Sequence, residues 1–160
     1  MAKSKIKTNA MRILDTEKIN YQVQTYEIRD GLIDGLSVAK KCGQDPAYVY
    51  KTLVTQGHSG EFYVFVVPVA EELDLKKAAA SVAEKRVEMI HVKDIQKHTG
   101  YVRGGCSPIG MKKAYPTVID ASAAHLDHIA VSGGKKGVQI ILSVIDLAQA
   151  SAAKLIDIIK

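Results

Sequence analysis

Six consecutive residues, Phe62-Tyr63-Val64-Phe65-Val66-Val67, carry no charge, and they limit the fold more than any other stretch of the chain. Aromatic and β-branched side chains crowd a helix but suit a pleated strand. Strand side chains alternate between two faces, so a run apolar at nearly every position must be covered on both and sit centrally in a sheet. The preceding run, Val49 to Thr55, is separated from Glu61 to Ala70 by Gly57-His58-Ser59-Gly60, a composition that predicts a hairpin.

The remaining patterns are shorter. Tyr21 to Tyr26 alternates with period two and predicts a strand with one wet face. Val87 to His91, Thr117 to Asp120, Ile129 to Ser132 and Val138 to Leu142 predict four more strands. Lys5 to Lys18 places Ile6, Ala10, Ile13 and Leu14 at helical spacing. Ser37 is expected to cap a short helix through Lys41 that ends near Gly43, after a Gly- and Asp-rich loop from Asp30 to Gly35. Asp74 to Ala83, Val92 to His98 and the tail from Asp146 to Ile159 also read as helices. Strands outnumber helices without regular alternation. The expected fold class is α+β: one domain over residues 1–160, built on a mixed, barrel-like curved sheet flanked by helices.

Composition excludes several functions. No stretch approaches the roughly 20 apolar residues of a membrane span, and the basic N-terminus lacks the apolar core of a secretory signal. Two cysteines, Cys42 and Cys106, are too few for a disulfide framework or a cysteine-built zinc site and fit a reducing cytoplasm. His58, His91, His98, His125 and His128 show no metal-ligand spacing, so no metal is expected. A net charge of +5 favours a polyanionic partner, while the absence of Trp argues against broad base-stacking platforms.

Three segments hold more small or polar residues than a core needs. In Tyr50-Lys51-Thr52-Leu53, Lys51 is either a solvated edge lysine, the commoner fate, or a partly desolvated ammonium aimed at an anion or a polarised carbonyl. Thr99-Gly100-Tyr101-Val102-Arg103-Gly104-Gly105-Cys106-Ser107-Pro108-Ile109-Gly110 contains four glycines in twelve residues. Such a loop can turn backbone N–H groups toward one point, as an anion nest or oxyanion hole requires, and it matches neither the dinucleotide nor the P-loop fingerprint. Val131-Ser132-Gly133-Gly134-Lys135-Lys136-Gly137 combines backbone freedom with two cations and reads as a phosphate contact or a charged hairpin tip. Cys106 has no identifiable base, and Asp120 and Asp146 suit caps better than a catalytic pair.

Together with Leu73-Asp74-Leu75-Lys76-Lys77 and Val87-Glu88-Met89, these segments form an ordered set from about Arg12 to about Ile158. That set resembles the YbaK family, free-standing homologues of the prolyl-tRNA synthetase editing domain. The resemblance implies a single α+β domain and a cytoplasmic trans-editing enzyme that deacylates cysteinyl-tRNA(Pro). A synthetase pocket cannot strongly reject cysteine where proline fits, so a second hydrolytic site is needed. The resemblance further implies no protein nucleophile and no cofactor. The substrate's own thiol attacks its ester carbonyl, and holding the two together replaces a bimolecular encounter.

Carried over residue by residue, the resemblance assigns Lys51 to positioning the terminal adenosine and the ester. Gly104 and Gly105 become the oxyanion hole, and Tyr26, Thr52, Tyr101 and Ser132 the substrate pocket. The partners implied are the acceptor end of cysteine-bearing tRNA(Pro) and prolyl-tRNA synthetase, with neither membrane nor DNA. Two departures stand out: Gln139 lies where many relatives carry a carboxylate, and Cys106 where an aliphatic residue is common. Two alternatives remain open at this level. One is a deacylase for another small residue such as alanine, and the other is a non-catalytic module that binds tRNA or a synthetase.

Overall fold

The computed structural model describes residues 7–160; Lys5 and Ile6, expected at the start of the first helix, lie outside the described residues. In chain order the elements begin α1 (Asn9–Thr16), β1 (Gln22–Thr25), α2 (Gly35–Lys41), β2 (Tyr50–Gly57), β3 (Phe62–Pro68) and α3 (Leu75–Ser81). They continue with β4 (Val87–Met89), α4 (Ile95–Thr99), β5 (Thr117–Asp120), β6 (His128–Lys135), β7 (Val138–Ser143), α5 (Val144–Ser151) and β8 (Lys154–Ile156).

The apolar run behaves as its composition requires. β3 lies in the middle of a five-stranded sheet ordered β4-β2-β3-β5-β8, and Val64, Phe65, Val66 and Val67 are all buried. β2 and β3 form the expected antiparallel hairpin, from Tyr50 opposite Pro68 to Gln56 opposite Phe62. β5 and β8 add in parallel, so this sheet is mixed. A second sheet, β1-β7-β6, is antiparallel throughout.

The α+β class holds, but the barrel-like expectation is corrected to two open sheets. They join through one backbone bridge, Val49 with Ala130, where β2 approaches β6. Side chains carry the rest of the seam. One core cluster combines Tyr50, Val66 and Ile119 of the larger sheet with Ile129, Val131 and Ile140 of the smaller. Leu14 of α1 and Leu147 of α5 close it from outside. Full burial of each such aliphatic side chain contributes about 1.5–3 kcal/mol.

Two local expectations also change. Asp34, not Ser37, caps α2: its carboxylate accepts the Ser37 N–H at 3.2 Å and the Ser37 hydroxyl at 2.6 Å, so the helix starts at Gly35. The tail is not one helix. α5 is capped by Ser143 and ends at Ala152, which adopts a left-handed φ of 53°. The chain then pairs with β5 as β8, and the Ile158 N–H donates to the buried Asp120 carboxylate at 3.0 Å. Among the described residues no helix is long and apolar enough to cross a membrane.

Candidate active site

The three segments singled out in the sequence converge on a cavity of about 640 Å³ beside the seam. β2 contributes Lys51 and Thr52, β6 contributes Ser132, and the glycine-rich loop contributes Gly104. The strand of Lys51 is not an edge strand: β3 pairs along its length on one side, and on the other Lys51 lies in the gap between the Val49–Ala130 bridge and the β4 pairing at Thr55–Gly57. The Lys51 side chain is half-buried and forms no ion pair among the described residues. Thr52 Oγ1 is buried with no hydrogen-bond partner among the described residues. A buried hydroxyl left in that state is costly unless a ligand completes it.

The second wall is a row across the smaller sheet. Directly opposed positions on antiparallel strands share a face. Gln24 of β1 faces Gln139 of β7, which faces Ser132 of β6. Tyr26, two residues beyond Gln24, lies on that face and lines the cavity, and burial pushes its phenol pKa upward. Gln139 donates through Nε2 to Gln24 Oε1 at 3.2 Å and to Gln44 Oε1 at 2.7 Å. Both donors are therefore committed within the wall. Ser132 Oγ accepts the Gly134 N–H at 3.3 Å, at the start of a register shift that ends at Lys135.

The glycine-rich loop is held from beneath. Gly100, at φ 82°, closes α4 in the left-handed conformation that favours glycine. Tyr101 is buried under the loop, where its hydroxyl donates to the Ile109 carbonyl at 2.7 Å, and burial pushes its pKa up to about 12. It therefore supports the loop and does not line the cavity. Gly104 does line it, also at positive φ, with Ile33 Cδ1 occupying the space a side chain on Gly104 would need.

Gly105 departs from the expected role. Its N–H already donates to the Val102 carbonyl at 2.9 Å, and its backbone packs directly on Lys135 and Lys136 rather than on the cavity. An amide turned back into its own loop is not available to an oxyanion. The N–H groups of Gly104 and Cys106, two residues that do line the cavity, donate to nothing among the described residues.

Charge at the site is positive. Arg103 reaches the cavity from the loop, and Lys135 and Lys136 are exposed on the adjoining turn, none of them ion-paired among the described residues. Asp34 is an acidic residue in the lining, its carboxyl held below the ordinary range chiefly by the Ser37 hydroxyl. Cys106 contributes no nucleophile at neutral pH, because burial pushes its thiol up to about 11. No group of three His, Cys, Asp or Glu side chains converges among the described residues. A second cavity of about 340 Å³ at the far end of β2, near His58, Arg86 and His91, contains none of the residues assigned to the substrate site from the sequence.

Sequence reasoning passed over Arg103 and Ile33. Arg103 was visible as a cation inside the glycine-rich loop; Ile33 lay in a loop read only for its Gly and Asp.

The chain belongs to the aminoacyl-tRNA editing domain family: residues 36–150 match its model. A protein of Enterococcus faecalis, provisionally named Cys-tRNA(Pro)/Cys-tRNA(Cys) deacylase EbsC, is 45% identical over 145 residues, covering 89% of this chain and 88% of that one. Two solved structures share the fold. Hypothetical protein APE2540 superposes with a TM-score of 0.87 at 17% identity, covering 96% of this chain and 100% of the other. A protein provisionally described as a trans-editing enzyme for prolyl tRNA synthetase gives a TM-score of 0.82 at 21% identity, covering 97% and 99%.

Proposed function

We propose that this chain deacylates cysteinyl-tRNA in trans, with tRNA(Pro) as its main carrier and prolyl-tRNA synthetase as the source of the mischarged substrate. One observation carries the reading: Lys51, Gly104 and Ser132, from segments far apart in sequence, line one cavity whose cysteine, Cys106, is a neutral thiol. Such a site suits a substrate that brings its own nucleophile.

In the reaction proposed, the cysteine sulfur forms a bond to its own ester carbonyl carbon. The carbon–oxygen bond to the terminal ribose breaks, and the thiol proton ends on the released ribose hydroxyl. The products are a thiolactone and free tRNA. Lys51 fixes the terminal nucleotide and the ester by charge and hydrogen bonding. The Gly104 N–H, with that of Cys106 beside it, receives the developing oxyanion. Thr52 Oγ1 gains the hydrogen bond it lacks, Tyr26 and Ser132 bound the nucleotide, and Arg103, Lys135 and Lys136 take up phosphates.

The test compares purified protein on tRNA(Pro) carrying cysteine, serine or alanine, and on cysteinyl-tRNA(Cys). Cysteine should be released at least 100-fold faster than serine, and Lys51→Ala should abolish most of that difference. Equal turnover of serine and cysteine esters refutes thiol attack. The two cysteinyl-tRNAs together establish how far the carrier matters.

A further inference from the structure

We infer that Lys41 is a positioning residue for this cavity, strapping the segment between β1 and α2 over its mouth and thereby setting Gly104 through Ile33. The inference rests on the proposed deacylase reading. Lys41 is the final residue of α2, and its ammonium donates to three oxygens: the Glu27 carbonyl at 2.6 Å, Asp30 Oδ1 at 2.8 Å and the Leu32 carbonyl at 2.9 Å. All three acceptors lie within six residues of one another in the same segment, and an ammonium has three protons to give.

The geometry differs from an ordinary surface ion pair. Exposed pairs contribute little because both partners are mobile and hydrated. The Lys41 side chain is 19% exposed, against 42% or more for the lysines of the other ion pairs among the described residues. Two of its three bonds go to main-chain carbonyls, so they dictate the path of the backbone. The other backbone bonds inside the segment are short-range turns: Gly31 N–H to Ile28 and Ile33 N–H to Gly31.

What the strap holds is part of the site. Gly31, Ile33 and Asp34 line the cavity, and Ile33 Cδ1 lies 2.7 Å from where a Cβ on Gly104 would stand. The contact is close enough that a displaced Ile33 leaves Gly104 without its stop. A lysine in a different element, touching no cavity residue's reacting face, thus governs where the Gly104 N–H points.

The experiment pairs Lys41→Met, which keeps the stem and removes every donor, with Lys41→Arg, which keeps donors. Lys41→Met should lower single-turnover deacylation of cysteinyl-tRNA(Pro) about tenfold with KM changed less than threefold, and Lys41→Arg should recover most of the loss. Amide hydrogen exchange, which needs no substrate, should accelerate about tenfold in Lys41→Met at Leu32, Ile33 and Gly105, the last the hydrogen-bonded amide next to Gly104, and stay unchanged at Val64 to Val67. Unaltered exchange at Gly105, or a rate within twofold of the parent, overturns the inference. If the parent releases no amino acid at all, the deacylase reading falls and the exchange result alone judges the strap. Should Lys41→Met fail to fold, Ile33→Ala serves in its place: it should speed exchange at Gly105 but not at Leu32, and unchanged Gly105 exchange overturns the inference equally.

Discussion

Gly105→Ala isolates the part of the site that packing alone controls. A Cβ at this position would stand 2.8 Å from the Lys136 nitrogen, 2.9 Å from the Lys135 carbonyl carbon and 3.0 Å from Lys135 Cα. All three are main-chain atoms of a turn, so no side chain can swing aside. To reach ordinary contact the loop must retreat by about 0.6 Å, since normal separations begin near 3.4 Å. A donor at 2.9 Å from an oxyanion moved by that amount sits near the limit of hydrogen bonding. Losing one such donor slows reaction about 100- to 1,000-fold, roughly 3–4 kcal/mol. Overpacking of this kind costs about 1–3 kcal/mol of stability, a loss that a typical domain survives. The assay is single-turnover release of labelled cysteine from cysteinyl-tRNA(Pro), with a thermal melt of the same sample. Gly60→Ala is the control: its φ of 94° adds a left-handed strain that Gly105 lacks, yet nothing lies within 4 Å of its added carbon. A folded Gly105→Ala protein releasing cysteine within threefold of the parent refutes the reasoning.

Gly104→Ala should respond to a second substitution where Gly105→Ala does not. The obstacle at Gly104 is the flexible Ile33 Cδ1, so adding Ile33→Val should recover about half the lost activity, leaving the left-handed strain of roughly 1–2 kcal/mol; activity in the double variant no better than in Gly104→Ala counts against it. Alkali should destabilise the protein through Cys106. Its thiol ionises near 11 when folded against an ordinary value of 9.0, so the stabilisation is complete below pH 9 and is lost as pH rises through 11, amounting to roughly 3 kcal/mol. Denaturant midpoints at pH 8 and pH 10.5 measure this, and a Cys106→Ala variant that declines just as steeply refutes the assignment.

How much of this was legible in the sequence depended on where the deciding contact lay. β3 was legible because its own residues are apolar on both faces. β8 was not, because Leu155, Ile156, Ile158 and Ile159 fit either a helix or a strand, and the Asp120 carboxylate that receives the Ile158 N–H lies 38 residues away. The cap of α2 was misplaced by three residues for a smaller reason: Asp34 and Ser37 are both good caps, and only the direction of their shared hydrogen bonds separates them. At the site, composition could not tell a pocket lysine from an edge lysine, since β2 is made an inner strand by β4 and by the Val49–Ala130 bridge, partners from other parts of the chain. The Gly104-Gly105 pair looked like two equivalent donors. Spacing cannot reveal that one amide turns back to Val102 while its neighbour lines the cavity.

The seam between the sheets has a wider consequence. Lys51 and Ser132 stand on opposite walls that share one main-chain bridge, so the gap between them is set by the bulk of the side chains wedged there, not by a hydrogen-bonded ladder. Exchanging a valine for an isoleucine or an alanine in that wedge would widen or narrow the chamber while each sheet kept its own register. A scaffold made this way can be refitted to cargo of another girth without rebuilding the machinery that holds it.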